Sequence, residues 1–141
     1  MATCVVSIVT WNSEDYIKKC IEKVLAQTLK NIEIVVIDNN SIDNTKAIVK
    51  EFENAGVKLI SNSYNAGFSK GHNQGIEAYN ANYYCVLNPD VFLEPDYLFN
   101  CISILEKNQT YGGCIGKVLQ CNYNNNEFVT TRIIDTCGLA K

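Results

Sequence analysis

Only two prolines, one histidine and one tryptophan occur in 141 residues, and the basic residues never form a block. So few prolines, with 47% hydrophobic and 19% charged residues, exclude a disordered or fibrous chain. Twelve basic against fifteen acidic residues, with the lysines scattered through helical segments, argue against a nucleic-acid partner, which requires a concentrated basic patch. No apolar run approaches the roughly 18 residues needed to cross a bilayer, so no membrane span is expected. The start "MATCVVSIVTWNSED" has neither a basic leader nor a cleavage signal, which by default gives a cytoplasmic expectation. The seven cysteines are odd in number and contain no CxxC spacing, so they are expected to be reduced, buried and small.

What is present is an alternation. "CVVSIVTW" (Cys4 to Trp11) and "IEIVVID" (Ile32 to Asp38) are β-branched runs of strand length, apolar on both faces. Between them Tyr16, Ile17, Cys20, Ile21, Val24 and Leu25 recur at helical spacing, with Ser13 as a possible cap and Glu14 and Asp15 in the first turn. A second helix is expected from about Asp43 to the stop at Asn54 to Gly56, followed by the strand "VKLIS". A glycine-rich turn around Asn65 to Gly71 leads to a third helix ending near Asn80, then to the strand "YYCVLN" and a fourth helix after Pro95.

Strand and helix alternating four times predict an α/β fold: a mostly parallel twisted sheet, right-handed crossovers and helices on both faces. Ligands of such sheets gather at the carboxyl ends of the strands. The residues that follow the four strands are Thr10 and Asn12; Asp38, Asn39 and Asn40; Asn62 and Asn65; and Asn88 and Asp90, so all should share one rim. From about Gly112 the pattern changes: "GGCIGKVL" and "FVTTRIIDTCG" are read as strands flanking a polar loop "QCNYNNNEF", and this tail is expected to extend one side of the sheet.

Asp38 ends an apolar strand, where its carboxylate could accept a hydrogen bond from a ligand or could cap the following turn. Asp90 follows Pro89, which cannot donate to a ladder and biases Asn88 to extended geometry, so Asp90 should leave the sheet in a fixed direction. One or two such carboxylates suffice for Mg²⁺ or Mn²⁺ when a diphosphate completes the shell, although an ordinary Asn-Pro-Asp turn is the plainer reading. "NAGFSKGHNQGI" could cradle a phosphate, with glycines allowing close approach, yet it is neither a Walker A nor a GxGxxG sequence. His72, with no second histidine, is read as a packed or solvated loop residue.

Four segments in order, "VSIVTWNSEDYIKKCIEKVLAQT", "IEIVVIDNNSIDNT", "NAGFSKGHNQGI" and "YYCVLNPDVFLEPDYL", resemble the nucleotide-binding half of glycosyltransferase family 2. "LNPDV" looks most like the family's rhamnosyltransferase-like branch, and "IIDTCGLAK" is similar to a later strand-turn segment of that branch. The resemblance is strong from about Val5 to Leu105.

It implies a GT-A fold cut short on its C-terminal side: a single domain over residues 1–141, with a nucleotide-sugar-binding portion at about 4–110 and the start of an acceptor-side portion at about 111–141. The implied activity is inverting transfer from a UDP- or dTDP-sugar, dTDP-rhamnose among them, to an acceptor hydroxyl in cell-surface polysaccharide synthesis. The acceptor would be a saccharide or lipid-linked saccharide, met in the cytoplasm or at the inner membrane face.

By position, Thr10, Trp11 and Asn12 would line the nucleotide pocket, and Asp38 would receive the N3–H of a uracil or thymine. Asn65, Gly67 and Asn73 would shape the loop beside ribose and diphosphate. Asp90 would stand for the last acid of the family's DxD motif and hold Mg²⁺ or Mn²⁺, with Asn88 in place of the first acid. Glu94, Asp96 and Asp135 do not occupy the family's catalytic-base motif, so the chain is expected to lack the base and to be inactive alone. A nucleotide-sugar-binding module without turnover is the alternative, whereas a receiver-type regulatory domain lacks its acidic pair after the first strand.

Overall fold

A computed structural model describes residues 2–124 and 127–136. The chain divides between Leu98 and Phe99 into two compact units.

In the first unit, β1 (Ala2–Thr10), β2 (Ile32–Asp38), β3 (Val57–Ser61) and β4 (Ala81–Leu87) form one parallel sheet in the order β3-β2-β1-β4. Between them lie α1 (Ile17–Leu25), α2 (Thr45–Lys50) with a 3-10 turn at Glu53–Ala55, and α3 (Phe68–Ala78). The steps from β1 to β2 and from β2 to β3 run in one direction, whereas the step from β3 to β4 returns across both inner strands. Right-handed crossovers therefore put α1 and α2 on one face and α3 on the other, with the reversal falling between β1 and β4.

The register fixes which side chains share a face. Ser7 is opposite Val35 and Val9 opposite Ile37, so Val5, Ser7, Val9, Val35 and Ile37 lie on the α3 side. Val6, Ile8, Ile34 and Val36 face the other way, and all four are buried. Burial on both faces explains why these strands are apolar without alternation. Each fully buried Ile or Val contributes about 1.5–3 kcal/mol relative to exposure.

Helix α3 approaches the sheet closely because glycines face it. A Cβ on Gly71 would lie 2.8 Å from Val9 Cγ2, and one on Gly75 only 2.6 Å from Ser7 Oγ. Two of the glycines expected to cradle a phosphate thus serve helix-to-sheet packing instead. The expected turn also ends sooner than Gly71, since α3 begins at Phe68. His72 lies on this buried helical face rather than in a loop.

The cap at the start of α1 differs from expectation as well. Ser13 contributes its carbonyl, which accepts from the N–H groups of Tyr16 and Ile17, while its hydroxyl turns to the Trp11 carbonyl at 3.3 Å. Glu14 spans to the start of α2, accepting from Asn44 N–H at 2.9 Å, and Glu14 N–H donates to Asp43 Oδ2 at 3.1 Å. Asp43 also accepts from Thr45 N–H at 3.0 Å. Burial works upward on the Asp43 carboxyl, but the donors from Thr45 and Glu14 outweigh it and hold the group below its ordinary value.

In the second unit, α4 (Tyr97–Lys107) continues from the first, and β5 (Val118–Asn124) pairs antiparallel with β6 (Glu127–Thr136). The expected polar loop is therefore largely strand among the described residues: Asn122 is opposite Val129 and Tyr123 opposite Phe128, so Gln120 to Asn124 belong to one arm of an antiparallel pair and Glu127 and Phe128 to the other. Among the described residues β5 and β6 pair only with each other, not with the four-stranded sheet as expected. The segment similar to a strand-turn of the family branch runs past Thr136 and lies partly outside the described residues.

Candidate functional site

The parallel register carries the strand ends to one rim. Thr10 is opposite Asp38, Asp38 is opposite Ser61, and Ile8 is opposite Leu87, so the residues after all four strands emerge on the same side. The reversal of strand order falls between β1, which is followed by Trp11 and Asn12, and β4, which is followed by Asn88 to Asp90.

The β1–β2 part of this rim is tightly bonded. Asp38 is wholly buried: Oδ1 accepts from the Thr10 hydroxyl at 3.3 Å, Oδ2 accepts from Ser41 N–H at 3.0 Å, and Lys46 Nζ lies 4.0 Å from Oδ2. This is the turn-capping arrangement, and the carboxylate expected to meet a pyrimidine directly is enclosed by its own loop. Asn12, in the left-handed region at φ 50°, locks the two loops together: its N–H donates to Ser41 Oγ at 2.9 Å, and its Oδ1 accepts from Ile42 N–H at 2.9 Å. Ser13 N–H donates to Thr45 Oγ1 at 2.8 Å. Trp11 stands beside this framework with more than half of its surface exposed. Ser41 and Thr45 were not singled out by sequence, where they resemble any other turn hydroxyls.

On the α3 side, Asn65 Oδ1 accepts from Gly67 N–H at 2.9 Å, an Asx turn that shapes the entry to the helix. Gly67 has φ 83°, and apart from its own chain neighbours nothing lies within 4 Å of where its Cβ would be, so this backbone is open to an approaching group. Asn73 is exposed on α3, about 9 Å along the axis from Gly67, and the structure does not join it to the loop.

At the end of β4, Asn88 and Asp90 are both exposed. The turn itself is anchored from α1. The Cys20 thiol donates to the Asn88 carbonyl at 3.6 Å, the same carbonyl accepts from Val91 N–H at 3.2 Å, and Lys19 lies 5.3 Å from the centre of the Phe92 ring. Farther along, Gln27 Nε2 donates to the Glu94 carbonyl at 2.8 Å and its Oε1 accepts from Leu98 N–H at 3.0 Å.

Asp90 is therefore held in place by its backbone while its carboxylate makes no hydrogen bond among the described residues. Burial first, then the Asp90 charge, then Cys85, push the Cys20 thiol up to about 12, so Cys20 stays protonated and packs as an apolar group. Asp96 accepts from the Thr28 hydroxyl at 2.8 Å, Glu94 is exposed, and the Asp135 side chain lies outside the described residues. Six cysteines are free thiols; Cys137 is outside the described residues.

Among the described residues no three His, Cys, Asp or Glu side chains cluster as a cation cage. One free carboxylate with a neighbouring amide instead suits a hard divalent ion that takes its remaining oxygens from a bound diphosphate. No helix among the described residues is long and apolar enough to cross a membrane.

A four-stranded parallel sheet with its reversal beside β1 and helices between the strands is the arrangement of the GT-A fold class of nucleotide-diphospho-sugar transferases. The chain belongs to that class through glycosyl transferase family 2, whose family model matches residues 5–136. It is 32% identical over 105 residues to an uncharacterized glycosyltransferase of Haemophilus influenzae, covering 73% of this chain and 32% of the relative.

Among solved structures, S. aureus TarS 1-349 in complex with UDP has a TM-score of 0.70 at 22% identity, covering 76% of this chain and 33% of the TarS 1-349 chain. The Pyrobaculum calidifontis mannosyltransferase in complex with GDP-Man and Mn²⁺ has a TM-score of 0.73 at 20% identity, covering 80% and 35%. These likenesses show the shared fold. The chain spans about a third of the length of the proteins it matches here.

Proposed function

We propose that the rim binds a UDP- or dTDP-sugar, dTDP-rhamnose being one candidate donor, for inverting transfer to a saccharide or lipid-linked saccharide hydroxyl in cell-surface polysaccharide synthesis. The observation that carries this reading is the exposed Asp90 on a backbone-anchored turn after β4, with the interlocked loops after β1 and β2 on the other side of the sheet reversal. Trp11 offers a ring face for a base, and Asn12 and Thr10 fix the floor beneath it. Asp38 acts in this pocket through Thr10 and Ser41, whose positions it sets, and shapes the edge that a pyrimidine N3–H would meet. Asn65 and Gly67 border the ribose and diphosphate, with Asn73 farther along α3.

Asp90, with the Asn88 amide beside it, would hold Mg²⁺ or Mn²⁺; when bound, the cation neutralises charge on the departing diphosphate. On this reading the chain corresponds to the nucleotide-sugar-binding portion at about 4–110 and the start of an acceptor-side portion at about 111–141.

Titration calorimetry with UDP, dTDP, GDP and ADP, each with and without Mn²⁺, tests this function. The expected result is Mn²⁺-dependent binding of UDP or dTDP with ADP bound more weakly. Equal affinity for UDP and ADP would remove the pyrimidine pocket. Binding without sugar transfer by any longer form of the protein would favour the non-catalytic module instead.

A further inference from the structure

Three primary amides form a relay at the ends of β2 and β3. Asn62 Nδ2 donates to Asn39 Oδ1 and to Gln74 Oε1, both at 2.9 Å, and Gln74 Nε2 returns a bond to Asn62 Oδ1 at 3.0 Å. Asn39 carries the connection onward: its Oδ1 also accepts from Ala66 N–H at 3.3 Å, and its Nδ2 donates to the Gly67 carbonyl at 3.2 Å. Asn39 is buried and Asn62 and Gln74 are half-buried, so these bonds are sheltered from competing water.

The direction of every bond is fixed by chemistry. Asn62 uses both amide protons and its oxygen, and Asn39 uses one proton and both lone pairs of its oxygen. An acid at position 39 would lose the donor to Gly67 and set a negative charge against that carbonyl. The relay ends on the backbone of Ala66 and Gly67, where the open Gly67 backbone leads into α3. None of these three side-chain amides takes part in the bonds among Thr10, Asn12, Asp38, Ser41 and Thr45.

We propose that Asn39, Asn62 and Gln74 are positioning residues for the diphosphate side of the donor site, holding the Ala66–Gly67 backbone ready for the pyrophosphate and leaving the nucleoside side to the separate β1–β2 bonds. This rests on the reading of the rim as a nucleotide-sugar site. It extends that reading by assigning the two parts of the rim to different sets of side-chain bonds, joined through the backbone where Asn39 N–H donates to the Thr10 carbonyl at 2.8 Å and Asn62 N–H to the Asp38 carbonyl at 2.9 Å.

The test compares uridine with UDP in the presence of Mn²⁺ for the wild-type chain, Gln74→Ala and Asn39→Asp. Amide exchange at Ala66 and Gly67 is measured on the same proteins without ligand. Each variant is expected to weaken UDP about fivefold, the size of one lost hydrogen bond, with uridine affinity unchanged and exchange at Ala66 and Gly67 faster. Unchanged UDP binding, or an equal loss for uridine and UDP, would overturn the relay's role. Should Asn39→Asp fail to fold, Gln74→Ala decides alone, because it removes the two bonds that orient the Asn62 amide toward Asn39 Oδ1 and leaves the Asn39 amide itself unaltered. A wild-type chain that binds neither uridine nor UDP would overturn the donor-site reading, and this role with it.

Discussion

Asp38 and Asp90 follow strands of one parallel sheet and reach the same rim, yet their surroundings are opposite. Asp38 has no exposed surface, and donors from Thr10 and Ser41 engage both of its oxygens, with Lys46 nearby. Asp90 is exposed and bonded to nothing among the described residues, although Cys20 and Val91 hold the turn that carries it. The last residue of β2 and the third residue past β4 are therefore held differently. The enclosed carboxylate braces the loops after β1 and β2, and the open one keeps its oxygens unbonded among the described residues. What separates them is the following residue pattern: Ser41 returns its N–H to Asp38, whereas the turn after Pro89 closes on the Asn88 carbonyl and leaves the Asp90 side chain outside.

The largest expected effect on stability comes from breaking the enclosed side. Asp38→Ala should destabilise the fold by about 3 kcal/mol, since it strands the buried Thr10 hydroxyl and Ser41 N–H without an acceptor. Urea denaturation measures this, and a loss under about 1 kcal/mol would show that Asp38 is not structural.

The same closed-and-open division crosses the α3 face of the sheet. Gly75→Ala would place a methyl 2.6 Å from Ser7 Oγ, 2.9 Å from Ile37 Cδ1 and 3.2 Å from Val35 Cγ1. It should cost about 2 kcal/mol by overpacking a site with no slack. Val86 is opposite Ser7 on the next strand and half exposed, so Val86→Thr should change stability by less than about 0.5 kcal/mol. Equal losses for the two variants would mean that α3 does not define the covered part of the face.

Acid should also act on the enclosed side. His72 is buried, its Nδ1 is hydrogen-bonded to Ser7 Oγ at 2.9 Å, and its Nε2 has no partner among the described residues. Burial lowers its pKa below the ordinary 6.5. The folded chain therefore binds this proton more weakly than the unfolded chain does, and the stabilisation present above 6.5 is lost as pH falls below it. A melting temperature that declines below this pH in the wild type, and declines less in His72→Gln, is the expected outcome; parallel curves would assign the acid sensitivity to other groups.

The smallest stability effect belongs to the open acid. Asp90→Ala should leave stability within about 0.5 kcal/mol of wild type while abolishing the Mn²⁺ dependence of diphosphate binding. A collapse in stability with binding retained would make Asp90 a turn residue and erase the contrast with Asp38. Removing its charge should also lower the Cys20 thiol from about 12, but not to its ordinary value, because burial is the larger cause.

Much of this framework is legible along the chain. The apolar runs of β1 and β2 announce strands covered on both sides, and the helical spacing of Ile17, Cys20, Ile21 and Val24 matches the buried side of α1. Pro89 marks the place where the ladder must end. Other features depend on residues far apart in sequence. Nothing near Gly75 says that Ser7 will lie beneath it, and nothing near Gln74 says that Asn62 will pair with it. The asparagine-rich tail misleads because polar side chains look like a loop, whereas Asn122 and Asn124 lie within a strand whose neighbour Tyr123 packs its ring 4.8 Å from that of Phe128 on the opposite arm.

The sequence by itself determined the strand-helix alternation, and with it a common rim, because side-chain periodicity and proline chemistry act within a few residues. Only the tertiary structure decided which acid would be enclosed and which left open, which glycines would pack and which would remain accessible, and which amides would meet. Those outcomes follow from burial and hydrogen-bond partners, and both are set by strand order and register between segments that are distant along the chain.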